Sequence, residues 1–303
     1  MRFDGKVAIV TGAGRGLGRE QAILLGRRGA KVIVNDLGAG IDGSNPSDQP
    51  AAEVVEAIRA EGGSAQANFN DVSGQDGVRG LVEHAVSAFG SLDIIVANAG
   101  TISHGCPPDQ LQQDWFDKQL HLMVSGVALL VGAAWPHLIR SGEGRVVLTS
   151  SSGGVFGNPG SAVYGAAKGG VIGLLRCLAI DAEPYGIKVN AICPLAMSRL
   201  VAGFTDNQAF NDWFADRARP EYVAPLVGYL AHRDCEPHGR VFSSGLGHVS
   251  EIFTGLTTGW TKPKHQIEDI RDNFAQITAR SGFTEPRTAM ESTAHSFHDA
   301  PVD

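Results

Sequence analysis

The sequence predicts an α/β protein, a single doubly wound parallel sheet with helices on both faces, followed by a C-terminal extension. Three observations predict it. Short β-branched runs alternate with helix-length stretches, the pattern of parallel strands joined by crossover helices. The runs are almost continuously apolar, as strands buried on both faces are. A glycine-rich turn links the first run to the first helical stretch.

The elements follow in order along the chain. Residues 7–10 (VAIV) make the first strand, and the turn from Thr11 to Gly18 opens a helix over 17–28. A second strand at 31–34 ends at Asn35-Asp36. Residues 38–50, rich in Gly, Ser, Asp and Pro, read as a surface insertion before a helix over 51–61. A weaker strand near 65–70 precedes a helix over 75–89 and a strand over 92–96. Helical stretches at 111–139 and 162–183 alternate with strands at 146–148 and 187–190. Residues 195–219 show no strong strand pattern and read as a loop or lid. After Val241-Phe242 the alternation stops, leaving an amphipathic stretch at 265–277 and a final segment, 294–303, expected to fray. One domain is therefore placed at 1–245, with an extension at 246–303 that packs on the same domain or on a subunit interface.

At 303 residues and a net charge of −7, the chain offers no electrostatic footprint for nucleic acid, which is held by clustered Lys and Arg. A small-molecule ligand suits it better. Cys106, Cys177, Cys193 and Cys235 are widely spaced, with no CxxC pair, and read as reduced thiols; no metal site is expected. The first strand begins so near Met1 that no signal peptide is expected, and the cytoplasm is the expected compartment. Residues 120–139 carry no Asp, Glu, Lys or Arg and approach the length of a membrane span. His121, Ser125, Trp135, Pro136 and His137 interrupt them, so a helix buried on the sheet, and against a second subunit, is expected instead of a span.

The turn Thr11-Gly12-Ala13-Gly14-Arg15-Gly16-Leu17-Gly18 lies between a strand and a helix, the setting a dinucleotide loop requires. Glycine lets the backbone approach a pyrophosphate, and the helix N-terminus offers free N–H groups and partial positive charge. About twenty residues on, Asp36 ends the second strand, where a carboxylate accepts hydrogen bonds from adenosine ribose hydroxyls and repels a 2′-phosphate. Asp36 argues for NAD over NADP, while Arg15 is the residue able to pair with such a phosphate. Asp71-Val72 and Asn98-Ala99-Gly100 end the third and fourth strands on the same edge, where ligands gather in open α/β sheets.

The fifth strand closes on Thr149-Ser150-Ser151-Ser152. Thirteen residues past Ser151 stands Tyr164, and Lys168 follows it at helical i,i+4 spacing. The two side chains share a helix face, so an ammonium there is expected to lower the phenol pKa from about 10 and to hold the nicotinamide ribose. Ser151 then stabilises charge on a substrate oxygen while Tyr164 gives or takes its proton.

These motifs resemble the short-chain dehydrogenase/reductase family: TGAGRGLG, the acidic strand end, NAG at 98–100, serine at 151 and YGAAK at 164–168, over roughly residues 1–244. The resemblance implies a Rossmann-type fold, a nicotinamide cofactor, Ser-Tyr-Lys catalysis, Pro194 beside the cofactor, and a homodimer or homotetramer. Longer strings, MRFDGKV at 1–7, VNDLG at 34–38 and PEYVAPLV at 220–227, are similar to the (3R)-hydroxyacyl-CoA dehydrogenase domain of peroxisomal multifunctional β-oxidation enzymes. That implies a 3-hydroxyacyl thioester of coenzyme A, of fatty or steroid side-chain origin, as substrate.

Two positions depart from the family. Met123 stands where an asparagine completes a water relay to the lysine, leaving His121 or bulk water to substitute. Leu195 follows Pro194 where the family has glycine. Three readings remain open: an NAD-dependent dehydrogenase of a 3-hydroxyacyl-CoA, a dehydrogenase of a free steroid or small alcohol, and a dinucleotide-binding sensor or scaffold without turnover, which Met123 favours.

Overall fold

The apolar runs become strands β1 (Val7–Thr11), β2 (Lys31–Asn35), β3 (Ser64–Asn68), β4 (Ile94–Ala97), β5 (Arg145–Thr149), β6 (Lys188–Leu195), β7 (Val241–Gly245) and β8 (His248–Ile252). The computed structural model describes residues 1–40, 45–101, 105–196 and 207–294. The strands form one sheet in the order β3-β2-β1-β4-β5-β6-β7-β8. Strands β1 to β7 pair in parallel. The order reverses between β1 and β4, which opens a crevice at their carboxyl ends.

Helices α1 (Gly16–Arg27), α2 (Gln49–Ala60), α3 (Gln75–Phe89), α4 (Gln113–Leu120), α5 (Gly126–Ser141), α6 (Ser152–Val155), α7 (Ala162–Ala182), α8 (Gln208–Arg217) and α9 (Ala224–Ala231) surround the sheet. Strand side chains alternate between its faces. Val10, Val34 and Val96 join Leu25 of α1, Ile58 of α2 and Leu230 of α9 in one core layer. The intervening Ile9, Ile33 and Ile95, fully buried, face the other layer, where α3 packs on α5.

At the amino ends of the strands a polar cluster ties the sheet together. Asp93 accepts from the Val7 N–H (2.9 Å), Ser91 (3.1 Å) and Ser141 (2.6 Å). Lys6 bridges Asp93 and Glu143, and the buried guanidinium of Arg145 donates to the carbonyls of His232 and Arg233.

The structure departs from the sequence expectation in three places. The helix expected at 111–139 is two α-helices joined by a π-helical stretch, His121–Ser125. The stretch ends at a close approach: a Cβ on Gly126 would fall 2.2 Å from the Val72 carbonyl oxygen, so only glycine fits there. Alternation also runs past Val241-Phe242. Leu246 and Gly247, both with positive φ, make a two-residue turn that adds β8 antiparallel to β7. Finally, the chain divides into Met1–Glu251 and Ile252–Asp303, so β8 lies almost wholly in the first unit, beyond the expected boundary at 245.

In the second unit, Leu256 pairs with Thr284 in an isolated antiparallel bridge and Phe253 stacks on Phe283. The stretch at 265–277 forms two short helices, α10 (Ile267–Asp272) and α11 (Phe274–Ile277), followed by α12 (Ala289–Ala294). None of their residues is buried. The expected fraying of 294–303 falls, from 295 on, outside the described residues, as do 197–206 of the expected lid.

Two helical segments, Gln113–Ser141 and Ala162–Tyr185, are long and apolar enough to cross a membrane by length and composition. Both lie in this layered fold, with the inner face of α5 (Leu130, Val131, Ala134, Leu138) buried in it.

Candidate active site

The glycine turn is set by contacts that leave no room for side chains. A Cβ on Gly18 would lie 2.2 Å from the Gly12 carbonyl oxygen, and one on Gly12 2.8 Å from Cα of Ala99. Asn98 knits this turn to β4. Its Nδ2 donates to the carbonyls of Thr11 and Gly12 (3.1 Å each), while Thr11 Oγ1 accepts from the backbone N–H groups of Asn98 and Ala99. Gly16, at φ 54°, has nothing within 4 Å of where a Cβ would stand, and Leu17 packs behind it on the core. Arg15 precedes α1 without a capping side chain, so the first N–H groups of the helix are free to hold an anion. The residues present fit a pyrophosphate.

Asp36 stands beside this loop. Its carboxylate accepts from Gly14 N–H (2.7 Å) and Gly38 N–H (2.6 Å). The exposed Arg15 guanidinium lies 3.5 Å from the Gly38 carbonyl, so cation and carboxylate share one end of the crevice. Asp71 closes its own turn by accepting from Ser73 N–H (2.8 Å), and Val72 is buried under the π-helical stretch. Asn35 and Asn68, which sequence reasoning passed over, form a buried amide pair (2.9 Å) that joins the ends of β2 and β3.

Ser151 caps α6, its hydroxyl accepting from Gly153 N–H (3.1 Å). Glycines then let α6 lie directly on α7. A Cβ on Gly154 would meet Gly169 N at 2.6 Å and Lys168 Cβ at 2.7 Å. That contact brings Ser151 to Tyr164 and is reinforced where Ser150 Oγ donates to the Lys168 carbonyl (2.7 Å). Tyr164 stands beside Ser151: a Cβ on Gly153 would lie 3.5 Å from Ser151 Oγ and 3.7 Å from Tyr164 Cε1. Lys168 is buried, its Nζ donating to the Thr149 carbonyl (2.8 Å) and lying 5.9 Å from the Tyr164 ring centre. The structure thus brings Ser151, Tyr164 and Lys168 together at the carboxyl end of β5.

The electrostatics correct one expectation. Burial raises the Tyr164 pKa, against the pull of the Ser151 hydroxyl, instead of Lys168 lowering it. The same desolvation bears on the lysine, whose pKa falls to about 8, partly offset by Cys193 nearby. Burial pushes the Cys193 thiol up to about 11.

Met123 is buried. A Cβ on Gly100 would lie 3.4 Å from its Sδ and 3.5 Å from Lys168 Nζ, so thioether and ammonium both flank Gly100. His121 does not substitute for a relay: it is exposed, and its Nδ1 donates to the Asp117 carbonyl (3.0 Å). Pro194 and Leu195 continue β6 and pair with Ser244 and Gly245. On the partner strand a Cβ on Gly245 would sit 2.1 Å from the Leu195 carbonyl oxygen, so only glycine fits beside it. Among the described residues no group of His, Cys, Asp and Glu gathers as a metal site.

Residues 6–207 match the short chain dehydrogenase family. The chain is 39% identical over 298 residues to the peroxisomal multifunctional enzyme type 2 of Mus musculus, covering 97% of this chain and 39% of that protein. It therefore spans well under half the length of that relative. A putative short-chain type dehydrogenase/reductase of Mycobacterium tuberculosis is 37% identical, with 91% of this chain and 95% of that one covered. Among solved structures, carveol dehydrogenase from Mycobacterium avium in complex with NAD superposes with a TM-score of 0.72 at 29% identity, over 80% of this chain and 96% of that one. Family, glycine cradle and catalytic geometry agree: the chain belongs to the short-chain dehydrogenases, and is an oxidoreductase that binds a nicotinamide dinucleotide and acts on CH–OH groups.

Proposed function

We propose that the chain is an NAD-dependent dehydrogenase interconverting a 3-hydroxyacyl and a 3-oxoacyl thioester of coenzyme A. The observation that carries the catalytic part is the meeting of Ser151, Tyr164 and Lys168 at the end of β5. The nicotinamide, when bound, accepts or donates the hydride. Ser151 holds the substrate oxygen. Tyr164 moves its proton at Oη, and Lys168 supplies the positive charge that favours the phenolate. NAD over NADP is supported by the Asp36 carboxylate bound against the glycine loop. The thioester is supported by the sequence strings at 1–7, 34–38 and 220–227.

A homo-oligomer is part of the proposal. The apolar segments Gln113–Ser141 and Ala162–Tyr185 are each less than half buried, and a groove of about 520 Å³ between them is lined by Val131, Trp135, Leu178 and Ile180. A second copy covers such a face.

The test is the appearance of reduced nicotinamide from the full chain with a (3R)-3-hydroxyacyl-CoA and either NAD or NADP. Turnover preferring NAD is expected. Tyr164→Phe should lower kcat by at least ~10²-fold while NADH binding, read by its fluorescence, holds. No turnover with any secondary alcohol, or an unchanged rate in the variant, refutes the assignment.

A further inference from the structure

The loop between α6 and α7 holds a side chain that this chemistry leaves unused. A Cβ placed on Gly153 would lie 3.2 Å from Nδ2 of Asn158, 3.5 Å from Oγ of Ser151 and 3.7 Å from Cε1 of Tyr164. One point, vacant because residue 153 is glycine, is therefore shared by a carboxamide, the serine hydroxyl and the ring carbon next to the one bearing the phenol oxygen. The Asn158 backbone is held where its carbonyl accepts from Ser161 N–H (3.2 Å). Its carboxamide is exposed and makes no hydrogen bond with the described residues. An exposed amide with no structural task ordinarily faces open water. This one is turned toward the two groups that attend the substrate oxygen.

Ser151 and Tyr164 account for one substrate oxygen, the atom that gains or loses the proton. Asn158 adds a neutral N–H donor beside them, suited to a carbonyl oxygen and offering nothing to a hydrocarbon. We propose that Asn158 is a substrate-binding residue that donates to a second oxygen of the substrate, the thioester carbonyl, and so selects substrates whose two oxygens stand in a 1,3 relation. The inference rests on the dehydrogenase assignment above and narrows its substrate class.

The test compares wild type, Asn158→Ala and Asn158→Asp as full chains with NAD. The substrates are a (3R)-3-hydroxyacyl-CoA and a plain secondary alcohol of the same acyl length. Alanine removes the donor, and aspartate keeps the shape without it. Both variants should lose ~10- to 100-fold in kcat/KM with the thioester and less than ~3-fold with the plain alcohol, with NADH affinity unchanged. Equal losses on both substrates would make Asn158 a structural residue and overturn the proposal, as would full thioester activity in either variant. If the wild type oxidises neither substrate, the dehydrogenase assignment for these substrates has failed, and Asn158 is judged by binding of a 3-oxoacyl-CoA to the NADH-loaded protein. A loss of affinity of ~10-fold or more in Asn158→Ala supports it. Equal binding, or none by the wild type, overturns it.

Discussion

At the scale of the residue, Lys168 shows what spacing reveals and what it conceals. The i,i+4 relation to Tyr164 was legible because a helix fixes which side chains share a face. The depressed lysine pKa was not, because it arises from burial against elements distant in sequence. Tyr164 carries the same lesson, since its raised pKa comes from burial that no short motif reports. The shift has a readable sign. An ammonium whose pKa is lowered to about 8 loses its charge as pH rises through that value, whereas an ordinary lysine keeps it to beyond 10. In the reaction proposed above, ketone reduction uses a protonated Tyr164 with a charged Lys168 beside it. Its kcat should therefore hold at neutral pH and decline with an apparent midpoint near 8, measured as a pH profile at saturating cofactor. A profile flat to pH 10 would show that the lysine charge has no part in the step.

At the scale of the element, a strand was visible in the sequence where both its faces are buried. Strand β8 reads HVSEI and is exposed along most of its length, so it carries no apolar signal and was missed. The π-helical stretch was hidden for another reason: five residues of π-helix keep nearly the apolar pattern of an α-helix. The glycine turn was legible by motif, whereas the glycines between α6 and α7 had no motif to announce them. They predict a clean separation of roles. Gly154→Ala would thrust a methyl into Gly169 N and Lys168 Cβ, parting α6 from α7. Thermal denaturation should show a loss of ~1–3 kcal/mol, and kcat should fall with NADH affinity nearly intact, because the cofactor loop lies on other strands. Weakened NADH binding with normal kcat would contradict that partition.

At the scale of the whole molecule, the layer order was legible and the division of the chain less so. The boundary moved to 251 because the hairpin that adds β8 belongs to the sheet, and its signal is a turn, Leu246-Gly247, instead of an apolar run. The apolar outer face of α5 and α7 makes a prediction of mass. Ile180 is 46% exposed on α7, so Ile180→Glu should shift the particle mass in light scattering from a multiple of 31.9 kDa toward a single chain. A wild type that is already monomeric refutes the oligomer. The polar cluster around Asp93 has a consequence of another kind. It ties β1, β4 and β5 together at their amino ends, while Ser151, Tyr164 and the glycine turn occupy the opposite ends. Segments at the working end, such as the loop bearing Asn158, can exchange residues without loosening that anchorage. A lineage built this way is free to drift among substrates at little risk to folding, in the loops that meet the substrate and not in the glycine turn or the Ser151, Tyr164 and Lys168 set that share that end.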